Sequence, residues 1–371
     1  MMSTPQLLPS NVYAIILAGG SGTRFWPKSR HNRPKQLCQI GDSDWTMIEL
    51  TLRRLDGLVP PERRIIVTHI DQLEATRAIT KSLCGHFLAE PCAKNTANAL
   101  ALAALEVETM AKRDGVAEPI ILSLHADALI KRIDVFNETI QSMIASAQKD
   151  HLTLLGITPE YPETGYGYIE KGPTLPGLSL TYKVSSFREK PDAKLAAQYI
   201  ETKRFLWNSG IFAWKVSTIL GELKIFVPES VSALVQALGT RKSFQDLSAS
   251  DFASVYNSLQ SIAIDLAVLE KSQKVSVVEA DIGWKDVGSW DALTQNFSTD
   301  DQGNLFYGEV INIDSTGTTV DSDAKVLACI GLKDMIVVCS EGAILVCPRD
   351  RAQDVKFIVE NLKKRGRTEL I

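Results

Sequence analysis

The sequence predicts an α/β fold, a mostly parallel sheet flanked by helices, followed by a small C-terminal β domain. Three observations predict it. Between Val12 and Ile157, short apolar runs alternate with segments of helical spacing, the order that parallel strands joined by crossover helices require. Pro119 to Leu124 is apolar on both faces, as a central strand of such a sheet must be. From Gly303 onward, short apolar strands are separated by turns instead.

The elements follow in order. Val12 to Leu17 is a buried strand that ends in Ala18-Gly19-Gly20-Ser21-Gly22-Thr23-Arg24. Glycine lets the backbone turn sharply and lets an anion approach the N–H groups. A glycine loop at a strand end is therefore a candidate phosphate cradle, the bland alternative being a tight turn without a ligand. It is not a P-loop, because Thr23-Arg24 stands where Lys-Ser/Thr is needed. It is not a dinucleotide fingerprint either, because Phe25 occupies the third glycine position. Lys28 to Leu37 is cationic and broken by Pro34, hence a loop.

Met47 to Leu58 has helical spacing, Arg64 to Thr68 is a strand and Asp71 to Leu83 a second helix. His86 to Glu90 is a short strand. It precedes an alanine-rich helix, Ala97 to Lys112, for which Asn95 or Thr96 is the obvious N-cap. The central strand ends at His125-Ala126-Asp127, where open α/β sheets place ligand chemistry, so Asp127 is a candidate metal ligand or a helix cap. A helix over Val135 to Ala147 and a strand over Leu152 to Ile157 complete the alternation.

Strands then enter and leave polar turns at Gly165 to Glu170, at Arg188-Glu189-Lys190-Pro191 and at Leu206 to Phe212. Glu189, Lys190 and Asn208 make these segments a candidate sugar- or phosphate-reading wall. Residues 216–260 hold helical patterns and a polar loop. Ile264 to Glu270 is helical and Val275 to Glu279 a strand. In the Gly-punctuated turn that follows, Asp286 can be a second oxygen ligand for a hard cation. Arg351 to Lys364 is an amphipathic helix closing the β segment, which shows no clean hexapeptide repeat.

The 371 residues carry a formal net charge of -4, which does not indicate nucleic-acid binding by bulk charge. Six cysteines lack C-x-x-C spacing, and no metal-ligand cluster links them to the five histidines. The N-terminus has no basic signal region, and Val12 to Ala18 is too short for a membrane span. A reducing, cytoplasmic compartment and no membrane partner are expected.

Leu17 to Arg24 with Pro34-Lys35, Glu90-Pro91, Lys94 to Ala97, Gly165 to Ile169, Glu189-Lys190-Pro191, Trp207 to Gly210 and Gly283 to Trp290 together resemble the sugar nucleotidyltransferases. Within them the match runs to the bacterial mannose-1-phosphate guanylyltransferases. The resemblance implies a Rossmann-like sheet of the nucleotide-diphospho-sugar transferase type over residues 1–298. It implies a left-handed β-helix-like domain ending in a helix over residues 299–371. The family usually shows Pro-Ala-Asp-His where this chain has His125-Ala126-Asp127-Ala128, and serine where it has Ala263. The isomerase domain of longer relatives does not follow, so isomerase activity is not expected.

The implied reaction joins GTP and α-D-mannose 1-phosphate into GDP-mannose and pyrophosphate. A phosphomonoester is largely dianionic at neutral pH, with a second pKa of about 6, so no side-chain base is needed. By resemblance, Arg24, Lys35 and Lys190 are the catalytic cations. Leu17, Ala18, Gly19, Gly20, Ser21, Gly22, Thr23, Glu90, Asn95 and Thr96 bind the nucleotide, with Glu90 facing the guanine N–H donors. Gly167, Glu189 and Asn208 read the sugar, and Asp127 and Asp286 hold Mg²⁺. A homodimer is implied. The alternatives are transfer to another sugar 1-phosphate (glucose or a heptose) and a catalytically silent regulatory paralogue.

Overall fold

The computed structural model describes residues 7–371 apart from Ser21 and Asp42, with the side chain of Gln295 also outside the description. Strand β1 (Val12–Leu17) is buried at all six positions. The chain then alternates through α1 (Met47–Arg53), β2 (Arg64–His69), α2 (Leu73–Thr80), β3 (His86–Glu90), α3 (Asn95–Arg113) and β4 (Ile120–His125). A short strand, β5 (Ala128–Ile130), precedes α4 (Ile133–Ala147) and β6 (Leu152–Ile157). Next come β7 (Gly167–Thr174), β8 (Thr181–Glu189), α5 (Ala193–Thr202) and the long β9 (Phe205–Lys215). Helices α6 (Val216–Phe226), α7 (Pro228–Leu238) and α8 (Ala249–Ser258) lead to β10 (Val275–Glu279), β11 (Trp284–Asp286) and α9 (Asp291–Asn296).

One nine-stranded sheet runs β3-β2-β1-β4-β9-β6-β10-β8-β7. Its β3-β2-β1-β4 half is parallel, as is the β6–β10 pair. The remaining pairings are antiparallel: β9 inserts between β4 and β6, and β8 and β7 close the far edge. The sheet is therefore mixed, with a parallel half where the first four strands lie. Strand periodicity splits β1 between two cores. Tyr13, Ile15 and Leu17 pack toward α3, α6 and α7, while Val12, Ala14 and Ile16 pack toward α1 and α4.

The position of β1 also places the site. It has β2 on one side and β4 on the other, so the connections leaving it diverge. Open α/β sheets bind ligands in the crevice outside such a divergence, at the carboxyl ends of the strands. Leu17 lies opposite His125 in the β1–β4 register, so the glycine loop and Asp127 emerge side by side.

The C-terminal strands are β12 (Leu305–Tyr307), β13 (Val310–Ile313), β14 (Thr319–Ser322), β15 (Leu327–Ile330), β16 (Met335–Ser340) and β17 (Ala343–Pro348), followed by α10 (Val355–Lys364). β12, β14 and β16 pair in parallel in one sheet, and β13 and β15 pair in parallel in another. Successive strands thus alternate between two sheets, as a coiled β-solenoid requires. β17 closes the larger sheet antiparallel to β16.

Candidate active site

The glycine loop is held with its carbonyls turned inward. Gln36 Nε2 donates to the Ala18 carbonyl at 2.6 Å and to that of Gly20 at 3.2 Å. Thr68 Oγ1 adds a bond to Ala18 O at 3.3 Å. Among the described residues, the N–H groups of Gly19, Gly20 and Gly22 find no protein acceptor. They stay available to an anion. Gly22 is left-handed at φ 58°, and a Cβ there would sit 2.6 Å from both the N and the Cβ of Lys35. Only glycine lets the two loops touch.

That contact places Lys35. Its side chain is buried, lies 5.4 Å over the Phe25 ring, and reaches Asp127 Oδ2 at 3.3 Å and Asp286 Oδ1 at 4.0 Å. Asp286 pairs with Ala128 where β11 meets β5, which sets it beside Asp127. Arg24 is exposed, and its Nη1 reaches Gly288 O at 3.4 Å. Desolvation opposes ionisation of both carboxylates. At Asp127, Lys35 and His125 overcome it and hold the carboxyl below its usual range. At Asp286, desolvation prevails over Lys35, Asp127 adds to it, and the carboxyl is raised. Two oxygen donors that repel one another beside a phosphate-sized space suit a hard cation, which takes one or two carboxylates plus substrate oxygens. Among the described residues there is no group of three or more His, Cys, Asp or Glu placed to hold a metal alone.

Three cavities meet at Asp127. The first, about 270 Å³, is lined by Leu17, Ala18, Gly19, Gly20, Glu90, Asn95 and Thr96, with Gln36, His69 and Lys94. The second, about 230 Å³, is lined by Gly22, Thr23, Arg24, Lys35, Asp127 and Asp286. The third, about 330 Å³, is lined by Gly167, Glu189, Lys190, Asn208, Tyr166 and Asp265, with both aspartates. Every site residue expected from the sequence therefore borders one cleft, except Ser21, which lies outside the described residues.

Glu90 is buried in the lining of the first cavity, beside Gly19, and accepts a 2.6 Å hydrogen bond from Tyr256 Oη. Burial pushes its carboxyl up to about 7 against that bond. Asn95 and Thr96 do not cap α3. Asn95 stands at φ 67° with its Oδ1 accepting from Thr96 N, and Thr96 Oγ1 accepts from Ile264 N at 2.9 Å. In the third cavity, Lys190 Nζ pairs with Glu189 Oε1 at 2.9 Å. A Cβ at Gly167 would meet Glu189 Oε2 at 2.7 Å.

Residues 13–303 match the family model described as nucleotidyl transferase, and residues 308–362 match a MannoseP isomerase/GMP-like beta-helix domain. The chain belongs to the nucleotidyl transferase family. It is 37% identical over 372 residues to mannose-1-phosphate guanylyltransferase 2 of Escherichia coli O157:H7, covering 97% of this chain and 75% of that one. It is also 37% identical over 363 residues to a mannose-1-phosphate guanylyltransferase of Klebsiella pneumoniae, covering 96% and 74%. Among solved structures, a Thermus thermophilus protein described as a mannose-1-phosphate geranyltransferase superposes with a TM-score of 0.83 at 34% identity, covering 95% of this chain and 99% of that one.

For a nucleotidyl transferase, the cleft has two further members that the sequence did not single out as site residues. Asp265 lines the third cavity, and its Oδ1 accepts from Asn208 Nδ2 at 2.9 Å. Desolvation and the Glu189 charge push its carboxyl up to about 7. It opens a π-helical turn, Asp265–Leu269, where an ordinary helix was expected. Such turns collect at functional sites. Tyr256, on α8, reaches the first cavity through Glu90. Both residues sit in stretches with no chemical pattern of their own. The one signal was that Asp265 lies two residues after Ala263, a departure from the family pattern.

Proposed function

We propose that this chain transfers GMP from GTP to α-D-mannose 1-phosphate, giving GDP-mannose and pyrophosphate. The observation that carries the reading is the convergence of three cavities on Asp127, within a chain similar over nearly its whole length to curated mannose-1-phosphate guanylyltransferases. A base pocket, a phosphate site and a sugar pocket that meet at Asp127 suit in-line attack on an α-phosphorus.

In this reading Glu90 accepts the N1 and N2 hydrogens of guanine. The N–H groups of Gly19, Gly20 and Gly22 cradle the triphosphate. Arg24 and Lys35 neutralise the α-phosphate and the departing pyrophosphate, and Lys190 draws in the sugar phosphate. Glu189, Asn208 and the Gly167 backbone take sugar hydroxyls. The attacking phosphate oxygen is already ionised, so these residues position and neutralise and do not transfer protons. Asp127 and Asp286 would hold Mg²⁺, which when bound adds positive charge at the phosphates.

A homodimer and a reducing, cytoplasmic location belong to the same proposal. Supporting them, Ile311, Ile313, Ile330, Ile344 and Val346 are exposed on the C-terminal strands, and the six cysteines are free. GTP labelled at its α-phosphate tests the reaction. The label is expected in GDP-mannose; its appearance in GMP or its retention in GTP refutes the reading.

A further inference from the structure

The phosphate loop is built into the same hydrophobic core as the C-terminal strands. Phe25, Trp26, Val287 and Trp290 form one buried cluster with Leu305, Ile336, Val338, Leu345, Val355 and Val359. Phe25 adjoins Arg24 and Val287 adjoins Asp286. The backbone positions of a catalytic cation and a candidate metal ligand are thus set by packing against residues 305–359. Phe25 and Trp290 stand 5.1 Å apart, ring to ring, and Trp290 Nε1 donates to Trp26 O at 3.0 Å.

Polar ties repeat the connection. Lys28 Nζ reaches Asp321 Oδ1 on β14 at 2.7 Å, with both side chains largely buried. Arg33 Nη1 reaches Glu341 Oε1 at 2.6 Å. The buried Arg30 guanidinium donates to Ser340 O at 3.4 Å. Arg349 Nη2 reaches Asp291 Oδ1 at 2.9 Å, next to Trp290. Three of the four ties anchor residues 28–33, the segment between Arg24 and Lys35.

We propose that the C-terminal β segment is a positioning element for nucleotidyl transfer, with the Lys28–Asp321 pair as its main lock on the loop that carries Arg24 and Lys35. The proposal rests on the assignment of those two cations to the phosphate site. Misplacing a reacting or neutralising group by about 1 Å can cost on the order of 100-fold in rate. Removing one partner of a buried pair leaves the other uncompensated, so the loop must move to resolvate Lys28.

Two variants test it: Asp321→Ala, and the exchange Lys28→Asp with Asp321→Lys. Two readouts are needed: kcat per GTP-binding site, counted by calorimetry, and amide hydrogen exchange of residues 22–28 against that of β1. Asp321→Ala is expected to lower kcat per site about 10- to 100-fold, with GTP affinity little changed and exchange faster in residues 22–28 alone. The exchanged pair is expected to recover most of the loss. Wild-type kcat per site with unchanged loop exchange would overturn the proposal. So would a loss explained entirely by fewer binding-competent molecules. Should the exchanged pair not fold, Asp321→Glu takes its place, keeping the charge and being expected to retain more activity than Asp321→Ala. If the unaltered chain does not turn over these substrates, the proposed reaction fails and the positioning role with it, and the exchange measurement then decides only whether Asp321 anchors residues 22–28.

Discussion

Gly22→Ala isolates the contact on which the proposed phosphate site is built. The new Cβ would sit 2.6 Å from Lys35 N and Cβ, and ordinary contact begins at 3.4 Å. One loop must give by about 0.8 Å, close to the displacement that costs on the order of 100-fold in rate. Left-handed backbone at a non-glycine residue adds about 1–2 kcal/mol of strain. The two effects can be separated. Gly115 is also left-handed, at φ 68°, but a Cβ there meets nothing within 4 Å. Gly115→Ala should therefore lose stability and keep full turnover, whereas Gly22→Ala should lose both. The assay is pyrophosphate release at saturating substrates beside thermal unfolding of each variant. Equal turnover in the two variants would refute the claim that Gly22 sets the position of Lys35.

Arg24→Ala should lower kcat about 10²- to 10³-fold, by analogy with the loss of one transition-state donor. Unfolding should barely shift, since the side chain is exposed and among the described residues its hydrogen bonding is one 3.4 Å contact to Gly288 O; steady-state kinetics with calorimetry check both. Glu90 must be ionised to accept two guanine donors, and its carboxyl lies at about 7. GTP affinity should therefore fall as pH drops below about 7 and level off above it, and titration calorimetry across pH 5.5–8.5, a range of about three units around that value, would detect this. Glu90→Gln should flatten the profile and weaken GTP binding by about 1.5–3 kcal/mol, the worth of a hydrogen bond to a charged group. Asp265→Asn should raise the KM for mannose 1-phosphate by a similar free energy while leaving GTP affinity in place, which initial-rate kinetics in each substrate would resolve.

The parts of the site legible in the sequence are those made by local order. The glycine loop after β1 and Asp127 after β4 each follow a strand whose pattern is plain, and the β1–β4 register brings them together; Asp286, expected in a Gly-punctuated turn, instead ends strand β11 and is brought beside them by pairing with β5. What escaped depends on long-range pairing. β9 is buried over most of its length, but Asn208-Ser209-Gly210 interrupts it with turn residues, so its antiparallel insertion between β4 and β6 could not be read. Tyr256 and Asp265 join the cleft through contacts to Glu90 and Asn208, 166 and 57 residues away. No local periodicity encodes such a contact. Asn95 and Thr96 illustrate the reverse error. Their residue types favour a helix cap, but tertiary contact with Ile264 takes the Thr96 hydroxyl instead.

The central claim is a guanine-reading, mannose-1-phosphate-accepting transferase, and a crossed substrate panel tests it most directly. Pyrophosphate release would be followed with GTP, UTP and dTTP, each against mannose 1-phosphate and glucose 1-phosphate, with Mg²⁺ present. Release is expected to be fastest with GTP and mannose 1-phosphate. Equal release with UTP or dTTP would contradict the base assignment, preference for glucose 1-phosphate the sugar assignment, and no release with any pair the assignment of the cleft to nucleotidyl transfer.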